Sequence, residues 1–456
     1  MTGTCMVPPH TNNYEPLRRW EKVGLLASLL LLIGFGVLVE IRSAYQQTRK
    51  TDLGCYLRAA WAIRADKDIY SVQDDNWWHY AYPPIFAISM VPFADAPTGE
   101  PRDWMLPYPL TVALWYVISV VCIILAVHWI ASALEINSGI PRGCRAWWYH
   151  RMLPLDICLA PIGCTLSRGQ VNLLLIMMIA GMFTSIVRGR RFASGMWLAS
   201  AIGLKFIPAY LLIVPVVRRD GRALLGVVAG LFLGAVVVPS AVLGFKGAWD
   251  IHKGMFNSII LPGLDRGTDK SRARELMELN ATDNQSIQAT IHNYRHWDID
   301  TRPGVADKWT KLGHVTIGGL LTLGLILALG RRRQDDPIRL LLFVGGLTVV
   351  MGISSPVSHT HYFCLAVPLV MGLAEHSRRI HGNALFPGPA MLGVLVLIGM
   401  LFALPMIPFW EARRQAGLPL FGCLILWTVT IVVLRSTAKR QEIATLPMPA
   451  QLSAAA

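Results

Sequence analysis

Val23-Gly24-Leu25-Leu26-Ala27-Ser28-Leu29-Leu30-Leu31-Leu32-Ile33-Gly34-Phe35-Gly36-Val37-Leu38-Val39-Glu40-Ile41 sets the class of this chain. The run is close to the roughly 20 residues an α-helix needs to cross about 30 Å of hydrocarbon. It is too long for a signal-peptide core and is followed by no small-residue cleavage site, so it reads as a retained anchor with nothing cleaved off. The rest of the chain has the same character: 54% of its residues are hydrophobic and 15% charged, with a mean hydropathy of +0.45. Soluble domains carry about 25% charge. The apolar runs have helix-span length rather than the alternating ten-residue pattern of barrel strands, and spanning helices satisfy their own backbone. The sequence therefore predicts an all-α polytopic membrane protein.

The eight cysteines, at 5, 55, 122, 144, 158, 164, 364 and 423, form no C-x-x-C pair and no zinc spacing, so they read as small buried hydrophobes. The net charge of +14 comes from short basic clusters between apolar runs. Such clusters mark cytoplasmic loops rather than a nucleic-acid surface. Arg18, Arg19 and Lys22; Arg142, Arg145 and Arg151; Arg188, Arg190 and Arg191; Arg218, Arg219 and Arg222; Arg331 to Arg333 with Arg339; Arg378 and Arg379; and Arg435, Lys439 and Arg440 all fall on one side of twelve spans. The spans are drawn at about 23–41, 108–134, 152–166, 170–187, 192–205, 206–218, 223–243, 312–330, 338–353, 362–376, 386–408 and 418–435. Arg413 and Arg414 are the exceptions.

This layout gives a cytoplasmic tail 1–22, a single membrane domain 23–435 and a second cytoplasmic tail 436–456. Outside lie the loops 42–107 and 244–311 and the turn Ser355 to His361. The segment Pro84 to Phe93 is too short for a span and reads as interfacial or re-entrant. Three drawn helices, 152–166, 192–205 and 206–218, reach only roughly 20 to 22 Å, which leaves a recess below the outer surface. Arg168-Gly169-Gln170 with Asn172, and Lys205 with Pro208, stand at its edge.

Asp52 opens Thr51-Asp52-Leu53-Gly54-Cys55-Tyr56-Leu57-Arg58, where helical apolar spacing from Leu53 to Ile63 predicts a short interfacial helix capped by Asp52. A carboxylate at that position suits a general base toward a sugar hydroxyl; the alternative is a solvated loop acid. Asp156, inside a drawn span, is expected to pair with Arg151. Lys205 is an isolated cation among apolar residues, either snorkelling to headgroups or clamping a phosphate. Arg168 and Arg58 are further phosphate candidates. Gln170 and Asn172 suit sugar or phosphate oxygens, or hold helices together.

In Ser355-Pro356-Val357-Ser358-His359-Thr360-His361-Tyr362, the two histidines lack acid or cysteine partners at metal spacing, so no metal site is expected. They read as a proton relay, a phosphate donor or structural groups. Asn284-Gln285-Ser286 and Asn280-Ala281-Thr282 match the glycosylation pattern, and Asn284 and Gln285 are read as an acceptor-binding element. The loop that carries them has the length of a lid. Trp77, Trp78, Tyr80 and Tyr82 read as an aromatic belt or a sugar-stacking surface.

Taken in order, the Asp52 segment, Tyr82-Pro83-Pro84, Gly169-Gln170-Val171-Asn172, Gly203-Leu204-Lys205 with Pro208, Asn284-Gln285-Ser286, and Ser355-Pro356 with His361-Tyr362 resemble glycosyltransferase family 87 of the GT-C superfamily. The resemblance runs from about Asp52 to Pro368. It implies a GT-C-type bundle of about twelve transmembrane helices whose outer loops bear short interfacial helices. It also implies an inverting hexosyltransferase, mannosyltransferase-like, that takes its sugar from a polyprenyl-phosphate carrier on the extracytoplasmic face of a bacterial plasma membrane. Asp52 would be the catalytic base and His361 a second catalytic group. By that likeness Lys205 would meet the donor phosphate; the residues themselves add Arg168 and Arg58 as phosphate candidates and Gln170, Asn172, Tyr82, Asn284, Gln285 and His359 as substrate contacts.

His359 departs from the pattern, where a tryptophan is expected, and this bears on sugar and acceptor rather than class. The implied partners are the lipid-linked donor, a glycolipid or glycan acceptor and membrane lipids, with no cofactor and no nucleic acid. From other classes, a transporter or lipid flippase shares the layout, although no internal repeat is visible. A lipid-diphosphate-dependent ligase is a third alternative.

Overall fold

The computed structural model describes residues 14–46, 51–136, 140–264, 266, 270–330, 336–382, 384–407 and 414–445. The basic cluster Arg331 to Arg333 and Arg413 lie outside the described residues. Six helical segments are long and apolar enough to cross a membrane: Arg19–Tyr45, Tyr108–Glu135, Gly221–Gly263, Lys308–Leu329, Pro389–Met406 and Arg414–Ser436. Each coincides with a drawn span. The other drawn spans correspond to shorter or interrupted helices, including Asn172–Val187, Arg191–Leu204 and Pro337–Ile353.

Two ends of the bundle are defined by ionic contacts. At one end the basic clusters meet acids at helix termini: Arg145 with Glu21 at 2.7 Å, Arg151 with Glu135 at 2.8 Å, and Arg378 and Arg379 with Glu375 at 2.8 and 2.6 Å. Arg379 also donates to the Leu134 carbonyl. Arg339, fully buried, donates to the carbonyls of Leu329 and Leu434, which ties three helices together. At the other end gather Asp52, Arg168, Lys205, Asn284, His359 and Gln415. Arg414 belongs to this second end, with its carbonyl accepting from Gln285 and its Nε donating to Pro405.

Several boundaries differ from the sequence expectation. The segment drawn as loop from Gly244 continues as helix to Gly263, for 43 residues in all. At 1.5 Å rise this is roughly 65 Å, about twice the hydrocarbon thickness. The helix bends at Gly244, whose φ of 71° and ψ of 166° are non-helical. Beyond the bend, Lys246, Asp250, His252 and Lys253 lower the hydropathy, while Ala248 and Ile251 keep a buried helical face.

The drawn helix 152–166 is two helices, Arg145–Ile157 and Leu159–Arg168, separated at Cys158. Asp156 does not pair with Arg151, which Glu135 holds through Nη1 and Nη2 at 2.8 and 2.9 Å. Pro84–Ser89 and Val91–Phe93 are short helical turns packed into the bundle. Tyr80 is core rather than belt: it is 1% exposed and its hydroxyl donates to the Pro83 carbonyl.

Candidate active site

The helix predicted after Asp52 forms as Leu53–Arg64, but Asp52 does not cap it. Its φ of −66° and ψ of −18° are already helical. A capping side chain needs an extended backbone to fold over the first turn. The carboxylate turns instead to Arg168, with Nε to Oδ2 at 3.2 Å, while the Asp52 amide donates to the Arg168 carbonyl at 2.9 Å. The helix is not half-wet either, because Leu53 and Cys55 through Ala62 are buried.

Gly169 makes this approach possible. Its φ is +67°, the left-handed region, and a Cβ there would stand 2.8 Å from that of Leu53. Its carbonyl accepts from Trp115 Nε1 at 2.8 Å. The Asp52 side chain is 17% exposed and that of Arg168 26%. Both are reachable but sheltered.

Lys205 is seated directly after Leu204, where the Arg191–Leu204 helix ends and the backbone turns extended. Its residue is 6% exposed. Nζ donates to Asn172 Oδ1 at 3.4 Å and lies 4.0 Å from the Tyr362 ring centroid and 5.6 Å from that of Tyr82. Asn172 Nδ2 in turn donates to the His361 carbonyl at 3.0 Å. Gln170 Oε1 accepts from Tyr56 at 3.1 Å and from Tyr82 at 3.4 Å. Tyr56, Tyr82, Phe86 and Trp115 pack edge-on and tilted into an aromatic floor.

The rim is made of the two histidines. His359 Nε2 is 2.6 Å from Glu278 and its Nδ1 is 3.3 Å from Asp283, whose same oxygen lies 3.7 Å from Arg168 Nη1. Burial opposes charging His359, but the two carboxylates prevail and lift its pKa to about 10. For Asp283, burial acts upward while the ion pair with His359 and the charge of Arg168 bring the carboxyl down to about 2. His361 is 1% exposed and neither ring nitrogen has a partner among the described residues. Burial, with the charges of Arg168, His359 and Lys205 added, pushes its pKa well below 6.5, so the imidazole is neutral.

The structure thus brings together Asp52, Arg168, Gln170, Asn172, Lys205, Tyr82, His359 and His361. Arg58 stands apart, paired with Asp75 at 2.9 Å and donating to the Gln73 carbonyl. Asn284 and Gln285 are fully buried and bound to backbone. Asn284 spans Pro356 and Ser358, and Gln285 reaches Thr282 and Arg414. Both polar side-chain atoms of Asn284 and the Nε2 of Gln285 bond backbone around the turn, while Gln285 Oε1 finds no partner among the described residues. Asp283, Glu278 and Tyr56 were not legible as site residues, since acids in a charged loop and a tyrosine in an apolar helix do not stand out. A small cleft among Tyr149, His150, Glu375 and Arg378 belongs to the opposite end of the bundle.

A carboxylate facing a guanidinium thus meets a buried ammonium and two histidines at one end of a bundle of apolar helices. The family model for glycosyltransferase family 87 matches residues 80–356, more than half of the chain. The chain belongs to that family. It is 25% identical over 317 residues to a polyprenol-phosphate-mannose-dependent alpha-(1-2)-phosphatidylinositol mannoside mannosyltransferase of Mycobacterium tuberculosis, covering 66% of this chain and 63% of the relative. To the protein of the same description from Mycolicibacterium smegmatis it is 29% identical over 194 residues, 41% of this chain and 40% of the relative. The matches therefore span less than two thirds of either relative.

Proposed function

We propose that this protein transfers a hexose, most simply mannose, from a polyprenyl-phosphate carrier to a glycolipid or glycan acceptor, with inversion, on the extracytoplasmic face of a bacterial plasma membrane. The observation that carries this is the convergence of Asp52 with Arg168, Lys205 and His361 at one end of the bundle. Asp52 accepts the proton of an acceptor hydroxyl, whose oxygen attacks the anomeric carbon. The bond to phosphate breaks, and the departing oxygen keeps the electron pair. Lys205 and Arg168 stabilise that growing charge where little water competes. Tyr82, Gln170 and His359 border the sugar and acceptor. The names of the two relatives support mannose and a phosphatidylinositol mannoside-like acceptor.

Twelve crossings over 23–435 form one catalytic domain, with the basic end and both termini in the cytoplasm. The test is to incubate purified, lipid-reconstituted protein with radiolabelled polyprenyl-phosphate sugars and a membrane lipid extract. A labelled glycolipid from the mannose donor is expected. No transfer from any such donor would overturn the proposal. Sidedness is read separately with a membrane-impermeant maleimide on whole cells: Trp104→Cys, at a position 95% exposed near the site end, labels, and Arg190→Cys labels only after permeabilisation.

A further inference from the structure

Five ionisable groups form a chain of alternating charge: Asp52, Arg168, Asp283, His359 and Glu278. The outer members have assigned tasks or serve them, while Asp283 touches both cations and has none. We propose that Asp283, backed by Glu278, is a positioning residue of the transfer site: it shares the Arg168 guanidinium with Asp52 and fixes the ring of His359. This rests on the reading of Asp52 as base and Arg168 as phosphate contact.

Arg168 reaches the two acids through different nitrogens, Nε to Asp52 at 3.2 Å and Nη1 to Asp283 at 3.7 Å. A guanidinium with a single carboxylate nearby closes on it as a two-pronged pair. That would occupy the oxygens Asp52 needs for an acceptor hydroxyl. With Asp283 on its other prong, Arg168 stays splayed between two acids. The same Asp283 oxygen holds His359 Nδ1 at 3.3 Å, and Glu278 holds Nε2 at 2.6 Å. The His361 ring, 5.6 Å away between centroids, also faces His359 and is flanked by Arg168 and Lys205.

The neighbouring residues explain why Asp283 is so placed. Asn284 accepts from the Ser358 amide at 3.0 Å and donates to Pro356 at 3.1 Å, and the Gln285 amide donates to the Ser358 carbonyl at 2.8 Å. These bonds rivet the backbone around 283 to the backbone around 359. The buried Asn284-Gln285 pair thus serves the site through the residue before it.

The test compares wild type, Asp283→Asn and Asp283→Glu in lipid nanodiscs. Histidine-selective ¹⁵N NMR follows the His359 ring with pH. Farnesyl phosphate serves as the phosphate probe, and sugar transfer gives kcat and KM. In Asp283→Asn, His359 is expected to lose its proton at lower pH than in wild type. Farnesyl phosphate should bind more weakly, and kcat should fall about 10- to 100-fold, as for small misplacements of reacting groups. Asp283→Glu should recover most of each.

An unchanged His359 titration in a folded Asp283→Asn protein overturns the proposal, as does a loss of activity that Asp283→Glu shares in full. If wild type transfers no sugar from any polyprenyl-phosphate donor, the transferase reading fails. The His359 titration and farnesyl phosphate binding then still decide the role of Asp283: unchanged values overturn it and shifted ones support it.

Discussion

Arg168 holds Asp52 twice, through its side chain at 3.2 Å and through its carbonyl, which accepts the Asp52 amide at 2.9 Å. The second bond is independent of side-chain chemistry, so the position of the carboxyl survives when its charge is removed. Asp52→Asn should therefore fold as wild type and lose transfer by about 10³-fold, within the range for removing a general base. Asp52→Glu, which moves the carboxyl by a methylene, should recover only part. Single-turnover rates in nanodiscs, set beside thermal melts, measure both.

Lys205 lies between the rings of Tyr362 and Tyr82, a seat shaped for a compact ammonium. Lys205→Met should keep the packing and cut kcat by about 10²- to 10³-fold, as for loss of one charge-stabilising donor. Lys205→Arg should not rescue it, because a planar guanidinium is larger and presents its donors in a fixed fork. A KM for acceptor that stays within about twofold while kcat falls would mark the effect as one on the leaving group.

Gly169 is where the backbone itself makes the site. Gly169→Ala adds a methyl 2.8 Å from Leu53 Cβ at a φ of +67°, and a non-glycine residue in that region costs about 1–3 kcal/mol. Arg168 and Asp52 should be pushed apart, lowering both the melting temperature and the rate. Gly163→Ala, whose methyl would meet only Phe35 at 3.8 Å, is the control and should leave both unchanged.

Lys205, Arg168, Gln170 and Asn172 were legible because polar groups at apolar helix ends are costly and stand out against their neighbours. Asp52 was legible for the helical spacing that follows it. The pairing of Arg58 with Asp75 was not legible because Asp75 lies in a loop whose fold hydropathy does not encode. Asn284 and Gln285 stood out as a polar pair but their backbone contacts did not, because sequence cannot tell an amide that meets substrate from one that bonds a turn. The helix beyond Gly244 was missed because its charges break the hydropathy signal, not the helical one. Asp283 was missed because its importance arises only when a loop and a distant turn are riveted side by side.

The rim pair gives a pH dependence whose sign follows from the two shifts. His359 is held at about 10 against an ordinary 6.5, so its ion pairs contribute fully below about pH 6.5 and fade as pH rises through about 10. Asp283 is held at about 2 against an ordinary 3.8, so its contribution is complete above about pH 4 and fades as pH falls through about 2. Between these limits, from about pH 4 to 6.5, both are present. His359→Gln keeps a hydrogen-bonding side chain but removes the charge. Its melting temperature should lie furthest below wild type in that window, and the gap should narrow as pH is raised toward 10. Melts of both proteins in the same nanodiscs across that range measure the gap; one that stayed constant or widened with rising pH would show that His359 does not carry the charge assigned to it.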